Sequence, residues 1–287
     1  MRWVFTGALV ALMVLGVSAA AGYLWLDARA AALAGATMDV ALDSISVPTD
    51  SLSLAEGERA AWLRGCHGCH GDSLQGKVFV DEPRVIRLTP PNLTAAIATY
   101  SNAEFARAIR HGVSRAGRPL IAMPSATFYH LSDVDVGRII AHVRAAPRHP
   151  NVPAPTELRI LTKIGLIRGE VPTDAGTMDH AGPRLGARGD TSRIARGEYL
   201  SMTICTECHG MELRGQDETP ALPKALGYTL PQFVSLMWDG RARDGRDIGL
   251  MGTTARRRFS RFRRDEIEAV WVYLQSMSLV APKPAGP

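Results

Sequence analysis

Two short stretches contain all the cysteines of the chain. "GCHGCHGDSLQG" (residues 65–76) and "ICTECHGMELRG" (residues 204–215) each hold two cysteines three positions apart, followed at once by a histidine. A Cys-x-x-Cys-His unit is the attachment signature of c-type haem, in which two thiols bond the macrocycle and the imidazole binds iron. The sequence therefore predicts two covalent haem sites. Their attachment residues are Cys66, Cys69, Cys205 and Cys208, and their iron-binding histidines are His70 and His209.

Two other uses of paired cysteines compete with this interpretation. A structural zinc site would bring all four thiols to one ion. It would also join two distant parts of the chain and leave His70 and His209 without a role. A thioredoxin-like dithiol is disfavoured further, because no strand–helix–strand pattern surrounds either motif. Haem attachment is favoured over both.

The two motifs belong to a longer internal repeat. A shift of 139 positions superimposes the Cys-His motifs, and a shift of 128 lays "EFARAIRHGVSRAGRPLIAM" over "QFVSLMWDGRARDGRDIGLM". The second shift aligns Met123 with Met251. A shift of 131 aligns a third segment, in which apolar residues recur at i, i+3, i+4 and i+7, the pattern of one buried helix face. Each repeat is predicted as an opening helix, the Cys-His motif, a middle helix, a methionine loop and a closing helix.

The N-terminal segment is apolar enough to reach across a membrane. Residues 4–26 contain no charged side chain over 23 positions, and a bilayer needs about 20 apolar residues. The small residues at 18–22 could form a signal cleavage site, but the apolar run continues to Leu26, which favours an uncleaved anchor. Arg2 favours a cytoplasmic N-terminus, which would place the rest of the chain in the periplasm.

These features predict an all-α protein: two helical domains in tandem after an N-terminal transmembrane helix. The segment "ELRILTKIGLIRG" within the linker is predicted to pack as a helix between the domains rather than to lie on a membrane. The predicted boundaries are residues 1–27 for the anchor or signal, 28–51 for a helical stem or tether, 52–150 for the first domain, 151–190 for the linker, 191–280 for the second domain and 281–287 for the tail.

With these motifs in view, the chain resembles the class I cytochrome c family in a tandem, dihaem form. The resemblance covers about two thirds of the chain. "TPPNLT", "EFARAIRHGV", "RPLIAMP" and "LSDVDVGRIIAHV" are similar to the cytochrome c subunits of membrane-bound alcohol, aldehyde and sugar-acid dehydrogenases. Those subunits commonly carry three haems, whereas this sequence has two attachment motifs.

The resemblance implies a methionine as the sixth iron ligand, on the loop before each closing helix. By match these ligands are Met123 in "AMPSATF" and Met251 in "LMGTTARRRF", with Met237 left open as a competitor in the second repeat. His67, His111 and His130 have no histidine counterparts in the other repeat, so they are predicted to be surface residues.

Composition and charge agree with an exported redox protein. Aromatic residues make up only 6% of the chain, so two haem macrocycles would supply much of the large apolar volume in the cores. Residues 241–264 contain nine arginines and two aspartates. This arginine-rich segment is expected either to steer an acidic redox partner or to form a solvated basic face. Nucleic-acid binding is disfavoured for an exported haem protein.

The function predicted from the sequence is single-electron relay by a membrane-anchored protein with two covalently bound haem c groups. The resemblance implies a dehydrogenase or quinone-linked donor and a small cytochrome or oxidase acceptor as partners. A dihaem enzyme, such as a peroxidase or a sulfur-compound dehydrogenase, is the alternative, and an iron without its methionine ligand would be its sign.

Overall fold

A computed structural model describes residues 2–216, 219–222 and 227–277 of the chain. The predicted tail, residues 281–287, lies outside the described residues. The α-helices are α1 (Arg2–Ala34), α2 (Ser51–Leu63), α3 (Cys66–His70), α4 (Leu93–Ala96), α5 (Asn102–His111), α6 (Ser125–Tyr129), α7 (Asp133–Ala145), α8 (Ile160–Arg168), α9 (Asp174–Thr177), α10 (Arg193–Ile204), α11 (Thr206–His209), α12 (Leu230–Asp239), α13 (Leu250–Arg257) and α14 (Arg264–Met277). The β-strands are β1 (Val80–Glu82), β2 (Ile86–Leu88) and β3 (Glu157–Leu158), and 3₁₀ turns cover Ile97–Thr99, Leu185–Ala187 and Phe259–Arg261.

The mostly helical fold is confirmed, and each repeat builds a helical unit around its own buried apolar cluster. In the first unit α2 crosses α7 so closely that a Cβ on Gly57 would lie 2.0 Å from the Arg138 carbonyl oxygen. In the second unit α10 crosses α14, and a Cβ on Gly197 would lie 2.0 Å from the Ala269 carbonyl oxygen. The opening helix of each repeat thus has a glycine where it meets the closing helix.

The loops of the two repeats also share their backbone conformation. Leu74 and Leu213, at equivalent positions after the Cys-His motifs, both have a φ of 57°, a left-handed conformation that is rare for residues other than glycine. Short antiparallel bridges join Val113 with Pro119 and Arg241 with Asp247. Shared rare backbone geometry at matched positions indicates that the sequence repeat is a structural repeat.

Helix α1 runs seven residues past the predicted anchor and ends at Ala34. Its apolar part is long enough to cross a membrane by length and composition, although a signal sequence would pass the same test. Helix α8, predicted to pack between the domains, packs instead against the C-terminal part of α1. Lys163 lies 2.5 Å from the Asp27 carboxylate and 5.8 Å from the centre of the Tyr23 ring.

The first unit carries additions that the repeat pattern did not predict. Between His70 and the following proline-rich turn, extra residues form a hairpin of β1 and β2, and β3 from the linker pairs with β2 to complete a three-stranded antiparallel sheet. Residues 36–49, predicted as a helical stem or tether, are neither helix nor strand. They lie on the first unit, where Val40 and Ile45 are buried.

The rest of the linker also lies on the first unit. The Asp174 carboxylate accepts a hydrogen bond from the Ala126 amide at 2.9 Å, and the Tyr129 hydroxyl donates to the Gly182 carbonyl at 2.6 Å. We call residues 170–187 the strap, because they cross α5 and α6 beside the loop that holds Met123.

Candidate haem-attachment sites

Both Cys-His motifs fold into a short helix that follows the opening helix directly. Leu63 ends α2, Gly65 takes a left-handed φ of 76°, and α3 then holds Cys66, Cys69 and His70. In the second repeat Cys205 joins α10 to α11, and α11 holds Cys208 and His209. Each motif therefore lies on one turn of helix, which places both thiols and the imidazole on a rigid segment.

Each motif histidine is oriented by a backbone carbonyl. His70 Nδ1 lies 2.9 Å from the Pro91 oxygen, and His209 Nδ1 lies 2.8 Å from the Pro220 oxygen. Because a carbonyl only accepts hydrogen bonds, Nδ1 must be the protonated nitrogen of each ring. The other nitrogen, Nε2, keeps a free lone pair, which is the arrangement that a metal-binding histidine requires.

Sequence reasoning did not identify these two carbonyls as histidine partners. The proline stands 21 residues after His70 and 11 residues after His209, and the difference corresponds to the inserted hairpin. A proline after each motif was the available signal, but the unequal spacing concealed it. The Pro91 turn is held further by Asn92, whose amide donates to the carbonyls of His149 and Asn151 at 2.9 Å.

Burial holds both histidines in the metal-binding form. His70 and His209 are buried. Burial lowers the pKa of each ring, and the hydrogen bond to the carbonyl opposes this effect. Both rings are therefore neutral at physiological pH, the form that ligates metals.

The thiols do not resemble those of a redox-active dithiol. Burial raises the pKa of Cys66 to about 11 and of Cys205 to about 12, whereas reactive thiols in Cys-x-x-Cys motifs have lowered values. All four cysteines are unbridged. Across the described residues, no group of three or more His, Cys, Asp or Glu side chains is placed to hold a metal ion. The donor set present at each motif, two thiols beside one neutral imidazole, fits a covalently attached haem.

The two candidate methionines lie in different local structures. Met123 is in a loop before α6 and packs against the first core, and Pro124 restricts it to a non-helical conformation. Met251 is in the first turn of α13 and packs against the second core. The predicted methionine loop is therefore a helix start in the second repeat, because Gly252 follows Met251 and imposes no such restriction.

Two of the histidines predicted at the surface are buried. His67 is 3% exposed: its ring stacks on Trp62 with centroids 4.2 Å apart, and its Nε2 lies 3.2 Å from His142 Nε2. His111 is 6% exposed and meets His180 of the strap, with the two Nδ1 atoms 2.9 Å apart. The surface prediction was wrong for both, because it used only the mismatch between repeats. His130 is partly buried near the strap, where its Nδ1 lies 3.4 Å from the Leu185 amide.

The structure also brings the two motifs to one interface between the units. The Thr206 hydroxyl, between the cysteines of the second motif, lies 3.0 Å from the Thr127 hydroxyl of α6. Arg258 donates to the Leu63 carbonyl before the first motif and to the Glu207 carboxylate inside the second. The motifs are therefore neighbours although they belong to different repeats.

Comparison with known proteins agrees with the site. Residues 54–143 match the family described as "Cytochrome C oxidase, cbb3-type, subunit III". The predicted resemblance to the cytochrome c family is confirmed. This family implies covalently bound haem c, and the matched range includes Cys66, Cys69, His70 and Met123.

Several curated cytochrome subunits are similar to the chain. It is 29% identical over 179 residues to the "Alcohol dehydrogenase (quinone), cytochrome c subunit" of Gluconacetobacter polyoxogenes, which covers 56% of this chain and 36% of the relative. It is 27% identical to the "Fructose dehydrogenase cytochrome subunit" of Gluconobacter japonicus, over 55% of this chain and 34% of the relative. It is 28% identical to the "Gluconate 2-dehydrogenase cytochrome c subunit" of Pantoea cypripedii, over 53% of this chain and 37% of the relative. The chain thus spans about a third of the length of these cytochrome subunits.

Proposed function

We propose that the protein is a dihaem c-type cytochrome that relays single electrons, anchored in a membrane by α1. The observation that carries this proposal is the doubled site: two Cys-x-x-Cys-His helices whose histidines each donate Nδ1–H to a proline carbonyl. A single motif could occur by chance, but the same orienting bond in both repeats supports the same use for both.

The residues at each site have separate roles. Cys66 and Cys69 would hold the first haem and Cys205 and Cys208 the second, and His70 and His209 would bind the irons. Met123 and Met251 would be the second iron ligands. When bound, haem c supplies a one-electron iron couple. If a histidine and a methionine bind each iron, the chain would leave no open position for peroxide or oxygen, and this favours relay over catalysis.

The partners are proposed from the named relatives. These are cytochrome subunits of alcohol, fructose and gluconate dehydrogenases, so a membrane-bound dehydrogenase or a quinone-linked donor fits as the electron source. A small cytochrome or an oxidase fits as the acceptor. With Arg2 at a cytoplasmic N-terminus, α1 would hold both helical units in the periplasm.

Haem counting tests the number of sites. The full-length protein, matured in a host that attaches c-type haem, should contain two haems per chain by the pyridine haemochrome assay. The variants Cys66→Ser/Cys69→Ser and Cys205→Ser/Cys208→Ser should each retain about one covalent haem, because each loses both thioether bonds of one site. One haem in the wild-type protein, or an unchanged count in either variant, would refute the dihaem proposal.

Spectroscopy of the oxidised protein tests relay against catalysis. Two low-spin haems that do not react with peroxide support the relay. A high-spin haem whose spectrum changes on addition of peroxide would favour the dihaem enzyme, because peroxide needs an open iron position.

A further inference from the structure

The arginine-rich segment, residues 241–264, is not a free basic face. Four of its nine arginines contact the first helical unit. Arg257 lies 2.7 Å from the Asp72 carboxylate, and Arg263 pairs with Glu56. The Arg261 guanidinium lies over the Trp62 ring, 4.0 Å from its centre. The fourth is Arg258, and its contacts reach both Cys-His motifs.

Arg258 is held between the two motifs by three polar contacts. Its Nε and Nη2 donate to the Leu63 carbonyl at 3.2 and 3.0 Å, and Nη2 also donates to Glu207 Oε2 at 3.0 Å. Leu63 ends the helix that leads into the first motif, and Glu207 lies between the cysteines of the second. The guanidinium also packs against the backbone before Cys66, since a Cβ on Gly65 would lie 2.8 Å from its Cζ.

The ion pair of Arg258 and Glu207 is poorly exposed to solvent. The side chain of Arg258 is 14% exposed and that of Glu207 is 24% exposed. Solvent and salt screen charges at such positions less than they screen charges at the open surface. The field of each charge therefore extends to the groups around it.

Geometry places both charges beside both motifs. The Arg258 guanidinium lies against Leu63 and Gly65, directly before the first motif, and it binds Glu207 inside the second. One arginine and one glutamate thus lie where their fields reach both motifs at once.

We propose that Arg258 is a positioning residue that ties the two attachment motifs together and raises the reduction potentials of both haems, with Glu207 as its opposing charge. The inference rests on the proposed function, since it requires haem at both motifs. Ferric iron carries one more positive charge than ferrous iron, so a nearby cation disfavours oxidation and a nearby anion favours it. Removal of either partner also exposes the haems to the uncompensated charge of the other.

Charge substitutions give opposite shifts if this proposal is right. Redox titration of the full-length dihaem protein, followed by visible absorption, measures both potentials. In Arg258→Gln both should fall, because Glu207 is left without its cation. In Glu207→Gln both should rise, because Arg258 is left without its anion. The potentials of the double variant should lie between those of the two single variants. The potentials of Arg258→Lys, which keeps the charge, should be closer to the wild-type values than those of Arg258→Gln.

Arg256→Gln is the matched control. Arg256 lies two residues before Arg258, in the last turn of α13, but it pairs with Asp247 at 2.8 Å, and both side chains are about half exposed. Its contacts stay within the second unit, so the potential of the first haem should not move.

Three results would overturn the role of Arg258. These are shifts of the same sign in Arg258→Gln and Glu207→Gln, a shift at only one haem in Arg258→Gln, or a shift no larger than that of Arg256→Gln. Haem content is measured on each sample. Fewer than two haems in the wild-type protein would instead refute the proposed function, so the two failures are distinguishable.

Discussion

At the scale of single residues, the surroundings of the two methionines of the second unit distinguish their roles. Met237 is 3% exposed inside the apolar core, and its counterpart in the first repeat, Ile109, is 7% exposed in the equivalent core. A position filled by isoleucine in one repeat and methionine in the other is a packing position. Met251 is only partly buried and matches Met123, so we infer that Met251 is the sixth ligand.

Substitution of each methionine tests this assignment. Met251→Ala should remove the sixth ligand of one iron, reduce the near-infrared methionine-to-iron absorption by about half, and lower the potential of that haem. Met237→Leu should leave the band intact and cost under about 1.5 kcal/mol of stability, because it nearly conserves volume in a core. Near-infrared absorption and EPR of the oxidised variants measure both effects. A band that keeps its full strength in Met251→Ala but falls by about half in Met237→Leu would reverse the assignment.

The site residues differ in how far sequence alone could predict them. The cysteines and motif histidines were predictable, because haem attachment imposes a fixed local spacing. The carbonyls of Pro91 and Pro220 were not, because the two prolines follow their motifs at different spacings. The burial of His67 depends on Trp62 and on His142 of α7. Such contacts join parts of the chain that no local pattern connects.

At the scale of elements, the strap is fixed to the first unit partly by two histidines. His180 Nε2 lies 2.9 Å from the Ala175 carbonyl, so Nε2 carries the proton and Nδ1 of the neutral ring is an acceptor. His111 Nδ1, 2.9 Å away, is therefore the donor. Burial, followed by the effect of His180, lowers the pKa of His111 to about 4. Protonation of the His111 ring would place a positive charge in this buried contact.

The pH dependence of stability tests the contact. The pKa of His111 falls from 6.5 in the unfolded chain to about 4 in the folded one, so the unfolded state binds the proton first as pH falls. The stabilisation is complete above pH 6.5 and is lost as pH falls to 4, by at most about 3 kcal/mol. Arg110 and Arg184 nearby lower this pKa further, while Asp43 opposes them.

Urea unfolding of the full-length protein at several pH values measures the effect. His111→Asn should flatten the fall in unfolding free energy between pH 6.5 and 4, whereas His149→Asn, a substitution away from the strap, should leave it unchanged. Since other buried histidines also have lowered pKa values, the informative quantity is the difference between wild type and His111→Asn. Equal slopes in those two proteins would contradict a role for this contact.

Sequence periodicity predicts some of the elements and not others. The opening, middle and closing helices of each repeat were predictable, because a buried helix face leaves a periodic sequence. The extended residues 36–49 and the strap have no such period, since single residues such as Val40 and Ala175 hold them on the first unit. The sequence pattern predicts that α8 is a helix, but it does not predict which element α8 packs against. That choice depends on the ion pair between Lys163 and Asp27, which are far apart in the sequence.

At the scale of the whole molecule, the two units meet through equivalent surfaces. Arg59 of the first opening helix donates to Glu266 of the second closing helix at 2.8 Å. At the equivalent positions, the hydroxyl of Tyr199 of the second opening helix donates to Asp135 of the first closing helix at 2.5 Å. Each opening helix thus contacts the closing helix of the other unit, as in an isologous dimer interface. This exchange brings the ends of both opening helices, and hence both Cys-His motifs, to the same interface.

Glu266 is a buried charge of this interface, and its removal tests whether the interface stabilises the protein. It is 4% exposed, and it accepts hydrogen bonds from both terminal nitrogens of Arg59 and from the Arg263 amide at 2.9 Å. Glu266→Gln should cost about 2–3 kcal/mol, because it leaves a partly buried guanidinium without its main partner. Glu268→Gln, whose pair with Arg264 is more exposed, should cost no more than about 0.5 kcal/mol.

A double-mutant cycle assigns the cost to the contact between the units. Urea unfolding of Arg59→Gln, Glu266→Gln and the double variant should give a coupling free energy of about 1–2 kcal/mol, because the second substitution removes a group that has already lost its partner. The same proteins should hold two haems each, since neither residue lies in a motif. Additive costs, or a loss in Glu266→Gln no larger than in Glu268→Gln, would mean that other contacts hold the two units together.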